Sequence, residues 1–320
     1  MKNIYSNIYK PNLHNLIKAK KNIENNNIIA IPTETVYGLA GNAFSNKAVN
    51  KIFNLKKRPT INPLIIHFGN LKDVKNEVIT NKNFIKLAKI FCPGPITFIL
   101  KKKTSSKICD KATAGKKTVA IRIPKNRISK KLLNILRVPL AAPSANMSSK
   151  LSPTSAEDVV DEFKDKIKFV LDGGNCQIGL ESTIIDLTNN PKILRQGIIT
   201  KEQIEKILKK KVKTKTMNNL KKTKAPGQFK LHYSPGIPVK LNIKFPKKNQ
   251  AFIGFGKKFK PGKNRFNLSK NGNLKEAANN LYKTLRKIKN SNFASIAVSK
   301  IPDIGIGNAI NERLKKASNR

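Results

Sequence analysis

Residues 28–68, IIAIPTETVYGLAGNAFSNKAVNKIFNLKKRPTINPLIIHF, decide the architecture. The stretch opens on the apolar run Ile28–Ile31 and closes on Pro63–Phe68, both short and bounded by turn residues, as buried strands are. Between them Ala48, Val49, Ile52 and Phe53 recur at helical spacing over Asn46–Lys57. Strand, helix and strand in succession form the repeating unit of an α/β fold. The polar residues cluster where the apolar runs end, which is where such folds place ligands.

Working outward, strand-like runs recur at Ile96–Lys101, Thr118–Ile123, Val138–Ala142, Lys168–Leu171 and Ser182–Leu187. Helical patterns fall at Phe84–Ile90, Ser129–Leu136, Ser155–Phe163 and Lys201–Leu208, so the spacing predicts a mixed or parallel sheet. From Lys209 to Lys230 the composition shifts to Lys, Thr and Asn and ends in Ala225-Pro226-Gly227, the composition of a linker. Strand candidates at Val239–Ile243, Gln250–Phe255 and Ala294–Val298 follow, with helices over Asn273–Lys289 and Asn308–Ala317. In the first of these, Asn273 and Glu276 are spaced as a capping box. A chain of 320 residues suits two domains, expected at 1–210 and 237–320 with a linker over 211–236.

The 65 Lys+Arg against 18 Asp+Glu give a formal charge of +47, which excludes an acidic working surface. Only nine of those cations are arginine, and 38 asparagines accompany the 56 lysines. Recognition of phosphates and bases in two-pronged geometry favours arginine, so most of this charge reads as a lysine background on solvated faces. The few arginines become the informative cations. Cys92, Cys109 and Cys176 lack metal-binding spacing and read as reduced thiols. No run of about 18 apolar residues occurs, and Met1–Asn27 is polar, so neither a membrane span nor a secretory signal is expected and the cytosol is the default compartment.

Glycine-rich nucleotide loops are absent: Gly256–Lys263 has the wrong spacing and Asn264 where Ser or Thr is needed. Other clusters carry chemistry. Pro32-Thr33-Glu34-Thr35-Val36-Tyr37-Gly38-Leu39 places two hydroxyls, a carboxylate and a phenol at one strand exit. In Lys56-Lys57-Arg58-Pro59-Thr60-Ile61-Asn62-Pro63 two prolines stiffen the backbone around cations suited to phosphate. His67 ends the next apolar run. Arg122 alternates with Val119, Ile121 and Ile123, so it points away from the core face, and a buried arginine calls for an anion. Pro143-Ser144-Ala145-Asn146, Glu181-Ser182-Thr183 and Arg195-Gln196-Gly197 add polar groups at further segment ends.

Taken together, these clusters resemble threonylcarbamoyl-AMP synthases, the YrdC-like superfamily in its two-domain form. The matching segments, in the family's order, are PTETVYGL (32–39), KKRPTINPLIIH (56–67), PGPITFIL (93–100), TVAIRIP (118–124), APSANMS (142–148), SPT (152–154), DGG (172–174), ESTIIDL (181–187) and LRQG (194–197). Ala225-Pro226-Gly227 with His232-Tyr233-Ser234-Pro235 resembles the family's interdomain motif, and the stretch from Gly305 to Arg313 its C-terminal signature. The resemblance implies a twisted mixed sheet with a basic concave cavity, followed by a small Rossmann-like α/β domain. It implies an enzyme, a nucleotidyltransferase that condenses L-threonine, bicarbonate or CO2, and ATP into threonylcarbamoyl-AMP and pyrophosphate. The product serves N6-threonylcarbamoyladenosine formation in tRNA through a downstream transferase.

By the same resemblance, the Lys-x-Arg and Ser-x-Asn pairs are Lys56/Arg58 and Ser144/Asn146. ATP would meet Arg58, Asn62, Thr118, Ser144, Ser152, Arg195 and Tyr233. Threonine would meet Thr35, His67, Arg122, Ala142 and Ser182, with Arg122 on its carboxylate and Ala142 limited to backbone or apolar contact. Mg2+ would arrive with ATP rather than on dedicated protein ligands. The chain departs from the family's pattern at Gln228, at Phe229-Lys230-Leu231, at Ser148-Ser149-Lys150, at Gln196 where proline is typical, and in its short C-terminal domain. The alternative class is an RNA-binding protein of the same fold without catalysis; the overall charge is compatible with weak, salt-sensitive tRNA contact.

Overall fold

In the computed structural model, which describes residues 5–214, 232–260 and 262–319, the first unit is built on one long twisted sheet. From edge to edge its strands run Ile8–Tyr9, Val170–Leu171, Ile29–Ile31, Gly38–Asn42, Leu140–Ala141, Ile65–His67, Thr118–Arg122, Ile96–Lys102, Thr183–Asp186, Lys192–Arg195 and Lys213–Thr214, with Val78–Ile79 beside Ile96–Lys102. Pairing is mixed. Ile65–His67 lies parallel to Thr118–Arg122, which is antiparallel to Ile96–Lys102, which in turn is parallel to Thr183–Asp186.

The two-residue period of the strands sorts their side chains onto opposite faces. Ile66, Phe98, Leu100, Val119, Ile121 and Ile185 enter the main core with the helices Asn46–Lys56, Lys82–Phe91, Ala156–Phe163 and Lys201–Leu208. Their alternates Ile65, Ile99, Ala120, Ile184 and Leu194 form a separate apolar patch. His67 and Arg122 follow Ile65 and Ala120 by two residues and so share that second face, in register with each other. A third cluster joins Leu16, Ala19 and Ile23 of the helix Leu13–Glu24 to Leu132 and Leu133 of the helix Arg127–Ile135. Each leucine so buried contributes about 1.5–3 kcal/mol.

The helix Leu13–Glu24 lies in the N-terminal stretch that composition marks as merely polar. Its exposed Lys and Asn residues hide a narrow apolar stripe, and Asn12 caps it by accepting from Asn15 N–H. Gly38–Asn42, in sequence a Gly- and Asn-rich exit, is a strand because neighbours on both sides satisfy its backbone, Ile29–Ile31 on one side and Leu140–Ala141 on the other. The sheet continues to Thr214, past the expected boundary at 210, with Ile204, Leu208 and Val212 in its core. Most of the expected linker, including Ala225-Pro226-Gly227 and Gln228 to Leu231, lies outside the described residues.

The second unit carries four parallel strands in the order Val239–Lys240, Ser295–Val298, Gln250–Gly254 and Arg265–Asn267. The helices Leu274–Lys289 and Ile306–Ser318 pack with them. Asn273 caps the first helix from its side-chain oxygen to the N–H groups of Lys275 and Glu276. Glu276 does not return the capping-box bond. Its carboxylate accepts from Ser269 Oγ, which itself accepts the Asn273 N–H. Val36, Leu151 and Leu180 of the first unit join this second core. The two units approach closely at Gly179, at φ +74°, where an added Cβ would stand 2.7 Å from the Asn279 backbone.

Candidate active site

The site begins with how one helix ends. Ser45 caps Asn46–Lys56 at its start, and Lys57 closes it in the left-handed conformation, φ 48°. That reversal turns Lys56 inward, leaves Lys57 in solvent and brings Arg58 back inside. Lys56 Nζ donates to the carbonyl oxygens of Ser144 and Asn146, fastening the loop after strand Leu140–Ala141. Arg58 donates from Nε to the Asn62 carbonyl at 3.0 Å and from Nη2 to that of Pro63 at 2.9 Å. Arg195 donates to the Ser182 carbonyl at 3.0 Å and to Ser182 Oγ at 3.1 Å, and that hydroxyl pairs with Thr97 Oγ1 at 2.7 Å.

Lys56, Arg58 and Arg195 are all buried, and among the described residues none has a carboxylate within ion-pair distance. Burial and the nearby Arg195 charge push Arg58 down to about 9. Burial and Arg58 hold Lys56 well below the ordinary lysine range. Glu181 and Glu312 act on Arg195 only from beyond ion-pair distance, so these buried groups keep a desolvation cost that a directly bound anion would recover. Their neighbours are carbonyls and hydroxyls, so the anion has to be supplied from outside.

Arg122 is different, because it already has a partner. It donates to Glu34 Oε1 at 2.7 Å and to Thr35 Oγ1 at 2.9 Å, and both side chains of the ion pair are buried. Glu34 Oε2 in turn accepts from the N–H groups of Lys125 and Asn126, at the start of the helix Arg127–Ile135. That end of the helix favours a negative charge. Arg122 Nε also donates to the Gly94 carbonyl at 3.4 Å, so Arg122 is fixed in direction, and among the described residues two of its five N–H donors have no protein partner. Beside it, burial first and the Arg122 charge second push His67 down to about 3, and its Nδ1 has no partner. The ring is neutral at any working pH.

The cavity between these groups is lined by Thr33, Thr35, Val36, Tyr37, Gly38, Arg58, Ile65, His67, Arg122, Ala142, Pro143, Ser144, Glu181, Ser182, Arg195, His232 and Tyr233. Tyr233 closes it from the second unit's side. The residue sits at φ 62°, a conformation that costs a non-glycine residue about 1–3 kcal/mol, and its buried hydroxyl has no partner among the described residues. Its ring lies 4.0 Å from that of His232 and 5.8 Å from that of Tyr282.

Nine of the residues expected from sequence line this cavity: Thr35, Arg58, His67, Arg122, Ala142, Ser144, Ser182, Arg195 and Tyr233. Lys56 and Asn146 stand behind the wall, where Asn146 Nδ2 donates to the carbonyls of Met147 and Lys150. Asn62 offers its carbonyl to Arg58 and leaves a buried Oδ1 unpartnered. Ser152 is fully buried and donates to Glu181 Oε1. Thr118 is only half-buried and begins the strand that Arg122 ends, about 13 Å away at the usual rise per residue.

The sequence reading places Glu34 and Glu181 in polar clusters but assigns no site role to them, nor to Thr97 or His232. Glu34 stands in the quoted PTET run, but its partner lies 88 positions away, and no local pattern signals that meeting. Glu181 is held by Ser152, by Tyr282 Oη at 3.1 Å and by Arg313 Nε at 3.0 Å. Burial alone would raise its carboxyl, but Arg313, Arg195 and the Ser152 bond hold it at about 2. Every carboxylate at the cavity is thus engaged, while among the described residues no group of three His, Cys, Asp or Glu gathers to ligate a metal.

The family model Sua5_yciO_yrdC, described as "Telomere recombination", matches residues 21–197, and one described as "Threonylcarbamoyl-AMP synthase, C-terminal domain" matches 199–319. The threonylcarbamoyl-AMP synthase of Pyrococcus abyssi is 38% identical over 92% of this chain and 92% of its own. That of Bacillus subtilis is 34% identical over 95% of this chain and 92% of its own. The crystal structure of P. abyssi Sua5 complexed with L-threonine superposes with a TM-score of 0.88 at 34% identity, covering 97% of this chain and 96% of that one.

Proposed function

Because this chain belongs to the Sua5/YciO/YrdC family of threonylcarbamoyl-AMP synthases, we propose that its cavity condenses L-threonine, bicarbonate and ATP into threonylcarbamoyl-AMP and pyrophosphate. The observation that carries this reading is the pair of buried arginines Arg58 and Arg195, which among the described residues have no carboxylate in ion-pair range and line one cavity with the fixed fork of Arg122. Phosphates neutralise Arg58 and Arg195, and an amino acid's carboxylate takes the two open donors of Arg122, with its amine toward the phosphate side.

The amine and bicarbonate join to a carbamate with loss of water. A carbamate oxygen then attacks the α-phosphorus, and the bond to pyrophosphate breaks. No protein nucleophile takes part, so the enzyme acts by positioning and by offsetting negative charge. This makes it a nucleotidyltransferase. Arg58 and Arg195 act on the phosphates directly, while Lys56 holds Ser144 and Asn146 in place through their carbonyls. Thr35 and Ser182 supply hydroxyl partners, and neutral His67 can accept a hydrogen bond without adding a like charge beside the ammonium group. Asn62, Thr118, Ser152 and Tyr233 complete the proposed ATP contacts, and Ala142 the threonine contact.

Among the described residues both carboxylates at the cavity, Glu34 and Glu181, are engaged, so Mg2+ would arrive as part of the ATP complex and share the neutralisation of leaving-group charge. The adenylate would pass to a transferase that modifies tRNA, and the cytosol is the compartment proposed for it. Among the described residues no helix is long and apolar enough to cross a membrane. The test is labelled bicarbonate with ATP and threonine, scored for an adenylate and for pyrophosphate. Arg58→Ala and Arg122→Ala should each abolish product, and full activity in both would overturn the assignment.

A further inference from the structure

We infer that the C-terminal helix Ile306–Ser318 sets the position of Arg195 in the cavity, with Glu312 and Arg313 as its positioning residues. Arg195 sits between two pinned peptides. On one side its Nε and Nη2 bond to Ser182, and the adjoining Glu181 is clamped by Arg313 Nε at 3.0 Å and Tyr282 Oη at 3.1 Å, both from the second unit. On the other side the N–H of Gln196 donates to Glu312 Oε2 at 3.0 Å. Glu312 is itself braced by Lys316 and by Arg313 Nη1 at 3.5 Å. Two consecutive residues of one helix therefore grip the chain on either side of a single cavity arginine.

These bonds are charge-assisted; those to Glu181 are buried and that from Gln196 to Glu312 is partly buried, and small shifts of a donor are expensive to its ligand. The donor to Glu312 is the backbone N–H of residue 196, which any residue but proline supplies, and proline there would leave Glu312 Oε2 without it. The second unit is thereby a working part of the anion site rather than an appended domain. This inference rests on the reading of Arg195 as a phosphate contact.

The experiment measures binding of Mg-ATP and of L-threonine by calorimetry on the full chain, with turnover of the unaltered enzyme recorded alongside. Glu312→Ala is expected to weaken ATP binding about tenfold while threonine binding changes less than twofold. Glu312→Gln, whose Oε1 still accepts from Gln196, should restore ATP binding to within about threefold of the parent. Gln196→Pro removes that one donor, leaves Glu312 with Lys316 and Arg313, and should weaken ATP binding as Glu312→Ala does, so the test stands even if Glu312→Ala fails to fold. Equal losses for both ligands, or unchanged ATP binding in folded Gln196→Pro and Glu312→Ala, would refute the inference. A parent protein that binds no ATP would instead overturn the proposed function.

Discussion

Replacing Glu34 by Gln tests the ion pair that orients Arg122. The substitution preserves shape and removes the charge facing a guanidinium 2.7 Å away, with the two side chains only 6% and 5% exposed. At an effective dielectric of about 20 the direct attraction is roughly 6 kcal/mol, but desolvation offsets much of it, and breaking such a buried pair costs about 3–5 kcal/mol. For a unit of this size that corresponds to a fall in Tm of roughly 10 °C. The informative part is what ligand does next. In the variant Arg122 is a buried cation without its anion, and the carboxylate of threonine supplies one. Saturating L-threonine should therefore raise the Tm of Glu34→Gln more than that of the parent, because stabilisation by ligand follows its affinity for the folded state. Differential scanning calorimetry with and without threonine decides the matter. A loss below about 1 kcal/mol, or a threonine-induced rise no larger than in the parent, would refute the reasoning.

Acid should destabilise the protein well before its carboxylates titrate. His67 and His232 are held at about 3 in the folded chain, chiefly by burial, against roughly 6.5 when unfolded. The unfolded chain thus binds more protons across that window, and stability falls as pH drops through it, by about 2 kcal/mol per histidine at pH 5. Glu181, held at about 2, adds its own loss only below roughly 4.5. Thermal melts at pH 7.5 and 5.0 should show the fall in the parent and a smaller one in His67→Asn/His232→Asn; an equal fall in both would sink the idea. Gly179→Ala forces a Cβ to 2.7 Å from the Asn279 backbone at a φ of +74°, and should cost about 3 kcal/mol at the junction of the two units. Urea unfolding should show a lower midpoint or a split transition, and an unchanged curve would mean that the junction gives way freely.

Much of this molecule is legible in its sequence because short apolar runs and helical spacing report burial directly. The runs at 28–31, 63–68, 96–101 and 118–123 all contain strands of the sheet. Of the strands that escape notice, Ile8–Tyr9, Val78–Ile79 and Lys213–Thr214 are only two residues long, while Gly38–Asn42, Lys192–Arg195 and Arg265–Asn267 carry Gly, Asn, Lys or Arg among few apolar residues. Their neighbours, not their own composition, make them extended. The site shows the same division. Arg122 is recognisable because it interrupts an apolar alternation. Glu34 and Glu181 carry no such mark, since what makes them matter is a partner from another part of the chain.

The amino-acid sequence by itself determined the α/β class, the family, and the cations worth following once the lysine background is set aside. Those properties depend on local pattern and on residue identity, which a linear chain displays. Only the tertiary structure decided that Arg122 is already paired while Arg58, Arg195 and Lys56 are not. It also decided that the second unit holds the cavity wall, Arg313 and Tyr282 on Glu181 and Glu312 on Gln196 beside Arg195. A charge becomes a binding site when burial strips its water away and geometry withholds a partner, and both are properties of the folded chain alone.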